Sequence, residues 1–316
     1  MGGLTRGNRA IQWIEQYCRV PEGKDVGKPV KLRPWQKKII RGIYDTPTRR
    51  AIISFARKNG KTALSAFLCL LNLVGPEARR NGQLYSCAQS RDQAAILFNL
   101  MAQVVRQSPD LIEWVGIRDR SQQLSCEGIG TLSRALRAES TTAMGLSPVF
   151  VVHDELGQVR GPTFPLYSAL ETAAGAQEDP LSVIISTQAA QDGDLLSILI
   201  DDALAGHDPE TKCYLYTADE DIDPFSVKAM KQANPAYGDF LNAKELKKTA
   251  ADASRMPTQE SEYRNLNLNQ RIARESPFIS PAVWKANGKP PRDEEFTAGV
   301  LMGLDLSRRV DLTAFI

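Results

Sequence analysis

The chain has 316 residues, 42% hydrophobic and 24% charged, with a formal net charge of +2, which is the composition of a soluble globular protein with room for two domains. Five dispersed cysteines (Cys18, Cys69, Cys87, Cys126, Cys213) without a C-x-x-C pair argue against a disulfide framework or zinc site, and two histidines argue against a histidine-rich metal centre. The longest apolar stretch, Ala63 to Val74, is too short to span a bilayer, the N-terminus lacks a continuous apolar signal core, and the charge is too small to mark a nucleic-acid binder by itself.

In chain order, a first helix is expected over Arg9–Tyr17, and Pro34 opens an amphipathic helix within Leu32–Ile40. Gln36 on that helix is either a surface glutamine or, as in many helicase-like motors, the residue whose amide reads the adenine edge. The apolar run Ala51–Phe55 reads as a strand and Ala63–Leu71 as a helix, and between them lies Arg57-Lys58-Asn59-Gly60-Lys61-Thr62. Strand, loop, helix is the context of a phosphate-binding loop, because loop amides and the helix N-terminus must converge on one anion. Lys61 would then reach the β- and γ-phosphates of ATP and Thr62 would hold Mg²⁺. The pattern G-x-x-x-x-G-K-[ST] fails at its first position, where Phe55 stands, so the loop must turn in another way.

Gly82–Ala88 reads as a strand and Asp92–Leu100 as a helix. Val149–His153 is a buried parallel strand ending in Asp154-Glu155, which delivers two acids to the crevice where open α/β sheets bind ligands. Asp154 is expected to hold Mg²⁺ and Glu155 to polarise the attacking water, while His153 is expected to be packed in the strand. A third strand, Leu181–Ile185, ends in Ser186-Thr187-Gln188. In motor ATPases of the additional-strand type such residues sense the γ-phosphate and couple hydrolysis to movement; otherwise they are a helix cap and turn before Asp194–Ile200. Arg134, Arg137 and Arg160 flank the acidic strand and are candidates for an arginine finger acting on a neighbouring subunit.

The alternation predicts an α/β fold: a P-loop NTPase of the additional-strand (RecA-like) type with a doubly wound, mainly parallel sheet. It is expected over 1–205. Residues 206–296 are expected to form a helical lid or linker, polar and helical from Asp221 to Arg274 and ending in Pro277, Pro281, Pro290 and Pro291. The strands expected within Ala298–Ser307 and Asp311–Ile316 would begin a further domain at 297–316, cut off early. Basic pairs at Lys37-Lys38, Arg49-Arg50, Arg79-Arg80, Lys247-Lys248 and Arg308-Arg309 are solvated surface or DNA contacts.

The order of Trp35-Gln36, the glycine-poor loop Ala56–Thr62, the strand ending in Asp154-Glu155, Ser186-Thr187-Gln188, Asn-Leu-Asn-Leu-Asn-Gln at 265–270 and Gly-Leu-Asp-Leu-Ser at 303–307 resembles the large subunit of tailed-phage terminases, over essentially the whole chain. That resemblance implies an N-terminal ATPase using ATP and Mg²⁺ to drive double-stranded DNA into a capsid, and a C-terminal RNase H-like nuclease. It implies that Arg57 to Thr62 bind nucleotide, with Arg57 as the basic residue of an atypical phosphate loop. Asp305 becomes the first carboxylate of a two-metal (Mg²⁺ or Mn²⁺) nuclease centre whose other acids lie on later strands, so this chain is expected to hydrolyse ATP weakly and not to cut DNA. The implied partners are the portal protein, the terminase small subunit and further copies in a ring, in the cytoplasm of the infected bacterial host, with no membrane. The competing reading is a helicase-like translocase, which should carry a second RecA-like domain.

Overall fold

The computed structural model describes residues 3–88, 91–137 and 145–272, together with a short strand pair at 304–305 and 314–315. The chain divides into a unit of Met1–Ser276 and a unit of Pro277–Ile316. The larger unit begins with α1 (Arg6–Tyr17) and α2 (Pro34–Tyr44), both amphipathic, with Thr5 capping the first and Pro34 starting the second. Next come β1 (Arg50–Ser54), α3 (Lys61–Leu73), β2 (Gln83–Ala88), α4 (Arg91–Gln107), the single turn α5 (Leu111–Trp114), β3 (Gly116–Arg118), β4 (Gln123–Cys126) and β5 (Thr131–Arg137). The chain continues through β6 (Pro148–Asp154), α6 (Pro165–Ala174), β7 (Leu181–Ser186), α7 (Leu195–Ala205) and β8 (Thr211–Leu215), then α8 (Val227–Ala233), α9 (Ala243–Arg255) and α10 (Pro257–Leu268).

The strands form one eight-stranded sheet in the order β3-β4-β5-β2-β6-β7-β1-β8. From β5 to β8 every pairing is parallel; β3 and β4 add an antiparallel edge. β7 lies between the strand that feeds the phosphate loop and the strand that ends in Asp154, which is the additional-strand arrangement expected from the sequence. Every residue of β7 is buried, as is β6 up to His153, because helices cover both faces. One face packs on α1 to α4 through Ile39, Ile53, Leu68, Leu70 and Phe150, the other on α6 and α7 through Ile52, Ile184, Leu170 and Leu196. α8 to α10 enclose a core of their own, built on Met230, Leu246, Tyr263 and Leu268 and joined by Ala56 from the phosphate loop.

Several elements were not anticipated. β3 and β4 are only three and four residues long, β5 mixes polar and apolar side chains, and α6 has few large apolar residues, so none shows a long period in the sequence. β8 extends the sheet beyond residue 205, because its Thr211–Leu215 backbone pairs with β1 rather than burying a strongly apolar face. In the second unit, β9 (Leu304–Asp305) pairs antiparallel with β10 (Ala314–Phe315), with Asp305 opposite Ala314. Asp311 and the basic pair Arg308-Arg309 lie outside the described residues.

Candidate nucleotide site

The phosphate loop turns without its usual first glycine because Phe55 is needed in the core. The ring is fully buried, edge-on to Trp35 and Tyr216 at centroid distances of 5.4 and 6.2 Å. The turn is instead made by two left-handed residues, Lys58 (φ 64°) and Gly60 (φ 75°), the second being the N-cap of α3. Lys61 opens that helix and is almost wholly buried. Its Nζ donates to the carbonyl oxygens of Phe55 (3.1 Å) and Ala56 (3.4 Å) and lies 3.7 Å from Glu155 Oε1. Burial pulls the Lys61 ammonium below its ordinary pKa, against the opposing pull of Glu155 and Asp154.

The acids arrive from β6. Burial, reinforced by neighbouring Glu155 and opposed by Lys61, pushes the Asp154 carboxyl up to about 7. Its Oδ1 is buried with no hydrogen-bond partner. Glu155 takes a left-handed backbone (φ 53°), which swings its carboxylate out of strand register towards Lys61. Its N–H is held by the Ile185 carbonyl at 2.9 Å, and Ser186 Oγ donates to its Oε2 at 3.4 Å. The same Ser186 hydroxyl accepts from the Gly157 N–H at 2.9 Å. Only glycine fits there, since a Cβ on Gly157 would stand 2.2 Å from the Thr187 carbonyl oxygen.

The structure thus brings Lys61, Asp154, Glu155 and Ser186 together at the carboxyl edge of the sheet. Thr62 is half-buried on the first turn of α3, and its hydroxyl makes no hydrogen bond among the described residues. A hydroxyl and a buried carboxylate oxygen without a hydrogen-bond partner are oxygen donors of the kind Mg²⁺ takes, so the residue types fit Mg²⁺-nucleotide. Arg57 and Lys58 are exposed.

Other sequence candidates have different surroundings. The Asn59 side chain turns inward: Nδ2 donates to the Ala56 and Arg57 carbonyls (both 3.1 Å) and to Asn234 Oδ1 (2.7 Å), and Oδ1 accepts from the Ala236 N–H. Only its backbone amide remains for a phosphate. Gln36 is buried rather than on the surface, and its Oε1 caps its own helix by accepting from the Arg33 N–H at 2.9 Å. Its Nε2 makes no hydrogen bond among the described residues. Ser186, Thr187 and Gln188 are buried and do not cap α7, whose N-cap is Asp194.

Of the arginines, Arg160 lies 3.5 Å from Asp194 Oδ2, Arg134 is exposed in mid-strand on β5, and Arg137 ends β5, its side chain lying outside the described residues. His153 is packed away from the site, its Nε2 3.3 Å from Glu171 and its ring against Tyr167. Sequence reasoning did not single out Asn269, which is fully buried and bonds to the ends of three strands. Its place in the Asn-Leu-Asn-Leu-Asn-Gln run was the only signal.

The chain is similar to known proteins in both sequence and fold. Residues 34–202 match the family described as terminase large subunit, ATPase domain. The terminase large subunit of Enterobacteria phage HK97 is 48% identical over 315 residues, covering 99% of this chain and 62% of that protein, so the chain spans under two thirds of that relative's length. The crystal structure of the HK97 large terminase superposes with a TM-score of 0.81 at 46% identity, over 99% of this chain and 64% of that one. The large terminase ATPase domain of Thermus phage P74-26 shares the fold at 15% identity, with a TM-score of 0.51 over 75% of this chain and 92% of that one.

Proposed function

This chain belongs to the terminase large-subunit family, and on that premise we propose that it is the ATP-hydrolysing motor part of a machine that drives double-stranded DNA into a viral capsid. The observation that carries the reading is the meeting of Lys61 and Glu155, 3.7 Å apart, across a β7 end that bonds to Glu155 through Ser186. Lys61 binds the β- and γ-phosphates, helped by the loop amides from Asn59 to Thr62 and the N-terminus of α3. Thr62 and Asp154 hold Mg²⁺, which neutralises phosphate charge when bound. Arg57 and Lys58, exposed on the loop, extend the positive surface toward the nucleotide. Gln36 meets the adenine with Nε2, the donor that its helix cap leaves over.

Glu155 orients the attacking water and accepts its proton. Its carboxylate lies against Lys61 and Ser186, and a γ-phosphate would compete for both. Ser186, Thr187 and Gln188 therefore report the state of the phosphate. An arginine from a neighbouring copy, drawn from Arg134, Arg137 or Arg160, completes the site in a ring. In domain terms, 1–205 together with β8 forms the motor core, the rest of 206–296 the lid and linker, and 297–316 part of an RNase H-like domain in which Asp305 would supply one carboxylate to a Mg²⁺ or Mn²⁺ centre. The partners are the portal protein, the terminase small subunit and the DNA, in the cytoplasm of the infected cell.

The test is steady-state ATP hydrolysis with and without double-stranded DNA. Wild type is expected to be stimulated by DNA, and Glu155→Gln to bind ATP while losing turnover by roughly 10²-fold or more. Turnover in Glu155→Gln equal to wild type would falsify the mechanism.

A further inference from the structure

Asn269 ends α10 in a left-handed conformation (φ 55°), a backbone that asparagine tolerates, and this points its amide under the carboxyl edge of the sheet. There Nδ2 donates to Ser54 Oγ at the end of β1 (3.0 Å) and to the Tyr216 carbonyl just past β8 (2.9 Å). Oδ1 accepts from the Gln188 N–H just past β7, at 2.7 Å. The Asn269 carbonyl accepts from Gln188 Nε2 and from Thr217 Oγ1. One fully buried side chain thus satisfies three strand ends, which requires a group that donates twice and accepts at once.

The neighbours of Asn269 repeat the attachment. Asn265 Nδ2 donates to the Gln188 carbonyl at 3.1 Å, and Arg271 Nε donates to Gln188 Oε1 at 3.2 Å while its guanidinium binds Asp192 and Asp201. A second, separate route joins the phosphate loop to the same stretch. The Arg57 N–H donates to the Leu266 carbonyl at 2.9 Å, and Asn59 reaches Asn234, whose Nδ2 donates to the Asn267 carbonyl at 2.9 Å.

We propose that Asn269 is a positioning residue: it fastens Ser186-Thr187-Gln188 to the end of α10, so that nucleotide-dependent change at the triplet is passed to residues 265–271. The inference rests on the nucleotide reading above and adds to it the element that receives the signal. Because the triplet and the loop both terminate on this one stretch, neither can shift without moving it or breaking buried hydrogen bonds.

Amide hydrogen exchange on the full chain, with and without Mg²⁺ and AMP-PNP, tests this in wild type, Asn269→Asp and Arg271→Gln. Aspartate keeps the acceptor for the Gln188 N–H and removes both Nδ2 donors. In wild type the analogue is expected to slow exchange on the order of threefold in both the phosphate loop (56–64) and 265–271. In Asn269→Asp the loop response persists and the response at 265–271 falls to less than half. A merely structural defect raises exchange with and without nucleotide and leaves the difference intact, so the difference is the readout.

An equal response at 265–271 in wild type and Asn269→Asp overturns the proposal, as does a wild-type response confined to the loop. If circular dichroism shows Asn269→Asp unfolded, Arg271→Gln decides: it releases Gln188 Oε1 and should weaken the response at 265–271 alone, and an unchanged response overturns the proposal. No response in either region, with no analogue bound, would sink the nucleotide reading and this inference with it.

Discussion

Glu171 sits beneath the sheet on α6, with Arg50 Nη2 at 2.7 Å and His153 Nε2 at 3.3 Å. Burial alone would raise its pKa, but the bonds to His153 and Arg50 outweigh it and hold the carboxyl at about 2. Since the folded value lies below the ordinary one of 4.5, this carboxylate stabilises the fold fully above about pH 4.5 and loses that effect as pH falls towards 2. Glu171→Gln is expected to lower stability at pH 7 by about 3 kcal/mol, the free-energy equivalent of that shift. The gap to wild type should close between about pH 4.5 and 2. Denaturant melts across that range check it, and a gap independent of pH would remove the electrostatic account. The same cluster explains why His153, although next to Asp154 in sequence, takes no part in the site: alternate strand residues face opposite sides of the sheet.

At the level of elements, α2 shows how one side chain can serve local structure and still leave chemistry over. Gln36 Oε1 closes the first turn by accepting from the Arg33 N–H, so truncation to alanine should cost about 1 kcal/mol of stability. Gln36→Glu retains the acceptor but removes the Nε2 donor. It is expected to melt like wild type while raising KM for ATP several-fold with kcat little changed; an unmoved KM would leave Gln36 as a helix cap alone. The elements legible in the sequence were those with long runs or strong punctuation: β1, β6 and β7 as unbroken apolar strands, α2 behind Pro34, and α3 after Gly60. β4, β5 and β8 were not legible, because their stability comes from backbone pairing with neighbours distant in the chain, and their own side chains are mixed.

On the scale of the whole molecule, most of the basic pairs are partly neutralised within the chain. Lys37 pairs with Glu15, Arg49 with Glu210, Arg50 with Glu171 and Arg79 with Asp179. Lys247-Lys248 on α9 is the exception among the described residues: both are exposed, with Lys244 one turn before, and neither makes an ion pair. We predict that DNA phosphates meet this face. Charge reversal of Lys247 and Lys248 to Glu should weaken double-stranded DNA binding and flatten its dependence on log salt by roughly one to two. An unaltered salt slope in the double variant would place the DNA elsewhere.

What the sequence determined by itself was a set of short contiguous segments, Gly60-Lys61-Thr62 before a helix and Asp154-Glu155 and Ser186-Thr187-Gln188 after buried strands, and from their order the family. Those signals are local because a loop and a helix N-terminus, or a strand and its last residues, are adjacent along the chain. Tertiary structure alone decided how the segments meet. The left-handed turn at Glu155 that brings its carboxylate to Lys61, the aromatic packing that takes Phe55 out of the loop's glycine position, and the turning inward of Asn59 each depend on partners far away in sequence. Asn269 is the clearest instance: it lies 215 residues beyond the Ser54 hydroxyl it binds, and its three strand ends are brought together only when the sheet is assembled.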